Sequence, residues 1–140
     1  METEYRLLII DADAHQRTRY TDYFAVHGFD VETAVTGADA LDKLRTRDFD
    51  VAVIDLALPD MSGLEVIRQA KKEWVNTRMI VATANGDRND VVAALNLNVD
   101  AWVDKHDLDM PTFYATVKEL APLIPPDVAE RLLASIRDED

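Results

Sequence analysis

Short apolar runs that each stop on a polar or charged residue punctuate this chain, and helix-patterned segments fill the gaps. Leu7 to Ile10 stops on Asp11-Ala12-Asp13, and Val51 to Ile54 stops on Asp55, after which Pro59 and Ser62-Gly63 open a loop. Met79 to Ala82 stops on Thr83, and Ala101-Trp102-Val103 stops on Asp104-Lys105. Runs this short, with no polar alternation, read as strands buried on both faces.

The intervening segments carry helix signals. Ala14 to His27 places Tyr20, Phe24 and His27 on one face and meets a stop at Gly28. A strand is predicted at Val31–Val35. Thr36 can cap a helix over Ala38–Arg45, with Ala40, Leu41 and Leu44 as its apolar face. Ser62 caps a helix running to Trp74, Asp87 one over Asn89–Leu97, and Asp109 with Pro111 opens a last helix to Leu120. Strand and helix thus alternate five times, which predicts a doubly wound α/β domain: a parallel sheet, right-handed crossovers, helices on both faces. All strand ends then meet on one edge, where ligands bind in such sheets. Asp11, Asp13, Asp55, Thr83 and Lys105 should converge there.

The 140 residues fit one domain with a real core. A formal net charge of −12 argues against direct nucleic-acid binding, which needs clustered Lys and Arg. There is no cysteine, hence no disulfide and no thiolate metal site, and the N-terminal METEYRLLII is neither signal peptide nor membrane span. A soluble cytoplasmic protein is expected.

A strand-end carboxylate can attack phosphorus and form an acyl phosphate. Such transfer calls for a hard cation, a fixed ammonium and a hydroxyl donor around the phosphoryl oxygens. Asp11 and Asp55 can ligate Mg2+, Thr83 supplies the hydroxyl, and Lys105 the ammonium.

In the order and spacing of these residues, the chain to about Leu120 resembles the receiver domain of bacterial two-component response regulators. Asp55 with Pro59 and Gly63 resembles the phosphoacceptor strand and loop, Thr83-Ala84 the switch hydroxyl, Trp102 the aromatic switch position and Lys105 the lysine of that family. The resemblance implies a flavodoxin-like fold with strand order 2-1-3-4-5. It implies that Asp55 accepts a phosphoryl group from a histidine kinase or phosphotransfer protein, a signalling event and not turnover catalysis. It further implies Mg2+ held by Asp11, Asp55 and the backbone carbonyl of Ala57. Thr83 would be drawn inward and Trp102 would turn after it, altering a surface read by a downstream protein or an output domain. Ala57 and Asn85 stand where the family tunes the lifetime of the phosphoryl group.

Two positions depart from the family. Receivers carry a second acid where this chain has Ala12, so a direct metal ligand is missing and weak Mg2+ binding is expected. Lys105 precedes His106 where the family has proline; a cis bond before His would cost about 3 kcal/mol, so a trans bond is expected, with His106 a solvated loop residue or a pH sensor. These departures motivate an alternative, a degenerate receiver that binds partners without phosphorylation. Asp11-Ala12-Asp13 also has the Asp-x-Asp form of haloacid-dehalogenase phosphatases. Residues 122–140 form a separate extension behind Pro122, Pro125 and Pro126. Its stripe of Ile124, Val128, Leu132 and Ile136 suits a fold-back helix, a homodimer contact or a connector.

Overall fold

The computed structural model describes residues 5–122 and 133–136. Five strands, β1 (Arg6–Ile10), β2 (Asp30–Ala34), β3 (Val51–Ile54), β4 (Arg78–Thr83) and β5 (Ala101–Asp104), pair in parallel in the order β2-β1-β3-β4-β5. Helices α1 (Ala14–Val26), α2 (Gly37–Thr46), α3 (Gly63–Lys72), α4 (Arg88–Asn96) and α5 (Met110–Leu120) cross between them or follow the last. The strand alternation divides the core. Leu8, Ile10, Ala52, Ile54, Met79 and Val81 face α2, α3 and α4, while Leu7, Ile9, Val51, Val53, Ile80 and Ala82 face α1 and α5. Every residue of β3 and β4 is buried, the two-sided burial that their apolar runs predict.

Caps set the helix starts. Thr36, Ser62, Asp87 and Asp109 each accept a backbone N–H of the first turn, as their positions predict, and Asp87 with Asp90 forms a reciprocal capping box. Gly28 ends the α1 connection at φ +91°, a conformation open to glycine.

Four local expectations change. His27 does not share the buried face of Tyr20 and Phe24. It lies one residue past α1, exposed, with its ring stacked on Tyr23 at 4.4 Å and Nδ1 against the Tyr23 carbonyl. Val35 falls outside β2, and α3 stops at Lys72 because the chain turns at Trp74 with φ +60°. β5 is half-buried and, among the described residues, pairs only with β4. Of the C-terminal stripe, Ile124, Val128 and Leu132 lie outside the described residues; residues 133–136 are helical, with Leu133 and Ile136 exposed.

Candidate phosphoacceptor site

At the carboxyl edge of the sheet, β1 delivers Asp11, β3 delivers Asp55, and the residue after β5, Lys105, reaches back across β4 to both. Lys105 Nζ donates to Asp11 Oδ2 at 2.6 Å and to Asp55 Oδ2 at 2.7 Å. The outer oxygens are tied by main chain: Asp11 Oδ1 accepts the Asp13 N–H at 2.9 Å, and Asp55 Oδ1 the Ala57 N–H at 3.1 Å. Two carboxylates on one ammonium leave an excess negative charge, which a cation or a set of donors could offset.

Burial separates the two acids. The Asp11 side chain is 3% exposed and that of Asp55 13%, so Asp55 is the one an incoming group can reach. Burial raises the Asp11 carboxyl above its ordinary 3.8, against the pull of Lys105 and the Asp13 amide. For Lys105 burial acts downward and is the largest influence, yet the hydrogen bonds and charges of Asp11 and Asp55 together carry the ammonium above 10.5.

The loop after Asp55 is held close. Gly63 lies under it, where a Cβ would stand 2.3 Å from the Asp55 carbonyl oxygen, so only glycine admits this approach. Gly63 N–H donates to Leu56 O, and Ala57 bridges Ser62. Asp60 then stakes the loop to α2 by accepting the Gly37 and Ala38 amides at 2.7 and 2.9 Å, hydrogen bonds that lower its carboxyl below 3.8.

Thr83 ends β4 buried, its hydroxyl accepting the Asn85 N–H at 3.4 Å. Trp102 is half-buried over the same turn. A Cβ at Gly86 would meet its ring at 2.3 Å and the Thr83 methyl at 2.9 Å, so the absence of a side chain at 86 makes room for an indole against Thr83.

Asp13 does not join the cluster. It is exposed and caps α1, accepting the His15 N–H at 2.8 Å, because the turn after β1 points it at the helix start. That also removes the facing acid an Asp-x-Asp phosphatase arrangement would need. His106 is exposed, and its peptide bond to Lys105 is trans, as expected where the residue after Lys105 is histidine and not proline. Asp104, beside it, caps the short 3₁₀ turn Lys105–Asp107 by accepting the His106 N–H.

As to a cation, the paired carboxylates of Asp11 and Asp55 fit a mostly hydrated Mg2+, which tolerates one or two carboxylates beside its waters. A tighter seat is not formed: residue 12 is alanine, and among the described residues no three His, Cys, Asp or Glu side chains group to hold a metal.

Sequence reading missed Arg17, whose guanidinium donates to the Asp11 carbonyl at 2.9 Å, and Gln16 and Tyr20, whose oxygens are buried without partners. The signal was present: Gln16 and Tyr20 are a helical turn apart, placing two polar groups on one side of α1.

Residues 7–117 match the family model of the response regulator receiver domain, and the chain belongs to that family. Among curated proteins it is 36% identical over 99 residues to the transcriptional regulatory protein KdpE of Mycobacterium tuberculosis and 29% identical over 99 residues to the response regulator SaeR of Staphylococcus aureus. Each match covers 71% of this chain and 43% of the relative, so the chain spans less than half the length of these proteins. Its fold matches a CheY-like receiver domain from Methanospirillum hungatei, at a TM-score of 0.82 and 28% identity over 86% of this chain and 95% of that one. It also matches TrrA of Thermotoga maritima in complex with Mg(2+)-BeF, at a TM-score of 0.74 and 25% identity over 83% and 98%.

Proposed function

We propose that Asp55 is the phosphoacceptor of this receiver domain, with Lys105 and Thr83 as its charge-neutralising partners. The observation that carries this reading is the ammonium of Lys105 on both Asp55 and Asp11, with Asp55 the more exposed acid. An Asp55 oxygen attacks phosphorus while the bond from phosphorus to the donor breaks. With a phosphohistidine donor, the leaving imidazole nitrogen keeps the electron pair and takes up a proton, and an acyl phosphate remains on Asp55. Lys105 then faces the phosphoryl oxygens, and the Thr83 hydroxyl turns from the Asn85 amide to donate to one of them. A bound Mg2+, held by Asp11, Asp55 and the Ala57 carbonyl, would supply further charge neutralisation, weakly because of Ala12.

Movement of Thr83 vacates space beside Trp102, and the readout is the surface around α4, β5 and α5. α4 is suited to shift: Ala94 is its one buried residue, while Val92 and Leu95 are exposed. The donor is a histidine kinase or phosphotransfer protein, and the reader a downstream protein or an output domain. We assign residues 1–121 to the receiver and 122–140 to an extension that connects or pairs it. No described helix is long and apolar enough to cross a membrane.

Incubation with acetyl phosphate and Mg2+ should add one phosphoryl mass to the intact protein, and Asp55→Ala should abolish the adduct. No adduct on the unaltered chain would favour the phosphorylation-independent module.

A further inference from the structure

The loop that follows Asp55 is anchored to an element that takes no part in the transfer itself. Beyond Asp55 the chain folds back on itself: Ala57 bridges Ser62, and the Leu58 and Gly63 amides both donate to the Leu56 carbonyl. The tip of this fold, Pro59 to Met61, reaches the start of α2. There Asp60 commits both carboxylate oxygens to main chain, Oδ1 to the Gly37 N–H at 2.7 Å and Oδ2 to the Ala38 N–H at 2.9 Å. Met61 packs against the same point, so closely that a Cβ at position 37 would stand 2.4 Å from its Cγ.

Capping alone does not account for this contact. α2 already has its own cap in Thr36, whose hydroxyl accepts the Asp39 N–H at 3.1 Å. What the Asp60 contact adds is a link between the two acids of the site. Ala34, at the end of β2, accepts the Asp11 N–H at 3.1 Å, and only Val35 and Thr36 separate Ala34 from Gly37. The start of α2 is thus a common anchor, joined to Asp11 through the end of β2 and to the loop after Asp55 through Asp60.

The same loop sets the direction of the Asp55 carboxylate. The Ala57 N–H holds Oδ1 at 3.1 Å while Lys105 holds Oδ2 at 2.7 Å. Ala57 is exposed and carries only a methyl group, so packing does little to fix its amide. Its place depends on the bridge to Ser62 and, through the tip of the fold, on Asp60. We propose that Asp60 is a positioning residue: by fastening the loop to α2 it fixes the Ala57 amide, and through that amide the aim of Asp55 at phosphorus. This inference rests on the phosphoacceptor reading of Asp55 for its purpose, and one arm of its test does not.

The test compares Asp60→Ala with the unaltered full chain by two measurements. In amide hydrogen exchange the Ala57 N–H should exchange several-fold faster in the variant, together with the Gly37 and Ala38 amides that lose their acceptor. A residue that merely capped α2 would free the Gly37 and Ala38 amides alone, so an Ala57 amide with unaltered exchange overturns the proposal. In acetyl phosphate labelling at saturating Mg2+, the maximal rate per folded molecule should fall about tenfold, the lower end of what losing a group that orients a reacting side chain costs. The half-saturating acetyl phosphate should stay the same, because no group that meets the donor is removed. Asp60→Asn, which keeps one accepting oxygen, should recover part of the lost rate. A maximal rate unchanged by Asp60→Ala overturns the proposal. Should the unaltered chain take no phosphoryl group, the reading of Asp55 fails, while the exchange of the Ala57 amide still decides whether Asp60 holds it in place.

Discussion

Two buried cation–carboxylate groups sit at opposite edges of the same sheet. At the amino edge, Arg78 of β4 pairs with Asp100 ahead of β5 at 3.0 Å, both side chains about nine-tenths buried, and Asp100 also accepts the Met79 N–H at 2.8 Å. At the carboxyl edge, Lys105 pairs with Asp11 and Asp55. The first is balanced, one charge against one, on a guanidinium that cannot shed its proton. The second is unbalanced, carries a compact ammonium whose donors can turn to a new acceptor, and leaves Asp55 partly open. Comparable burial therefore serves two ends: one group joins adjacent strands, while the other stores an uncompensated charge where a phosphoryl group can enter.

Breaking the amino-edge group should have the largest effect on stability. Asp100→Ala strands a buried guanidinium and should cost about 3 kcal/mol in urea unfolding, while the rate of phosphoryl uptake per folded molecule stays unchanged. A loss of uptake as large as the loss of stability would erase the distinction between the two edges.

Breaking the carboxyl-edge group should show the reverse. Lys105→Met should reduce acetyl phosphate labelling by about 100-fold, as loss of a transition-state donor does. Its stability loss should be smaller, about 1–2 kcal/mol, because Asp11 can take up a proton where Arg78 cannot lose one. The pH dependence follows from the raised Asp11 carboxyl. A carboxyl held above 3.8 in the folded state binds its proton more tightly there than in the unfolded chain. Its contribution is therefore fully present below 3.8 and lost as pH rises through the folded value. Urea unfolding across acid to neutral pH should thus show the Lys105→Met deficit growing with pH.

The sequence carried the edge itself. The runs ending at Asp11, Asp55 and Thr83 are buried strands, and one parallel sheet brings their ends together, so the convergence of Asp11, Asp55 and Lys105 was legible from alternation. What was not legible depends on local turns and on packing across elements. Asp13 reads as one more strand-end acid, and only the direction of the turn sends it to cap α1. Asp60 acts through amides 22 and 23 residues earlier in the chain, which no local pattern reveals. Gly86 and Trp102 are far apart in sequence, yet the missing side chain of one is the space that the indole occupies.

The proposed site pairs an intact nucleophile, Asp55, with a metal seat weakened by Ala12. Its most direct test is the Mg2+ dependence of acetyl phosphate labelling in the unaltered chain and in Ala12→Asp. Labelling of Asp55 should occur in both, with half-saturation at roughly tenfold lower Mg2+ once the second acid is restored, the size of effect expected from supplying a ligand. Equal Mg2+ dependence in the two proteins, or labelling that survives Asp55→Ala, would contradict it.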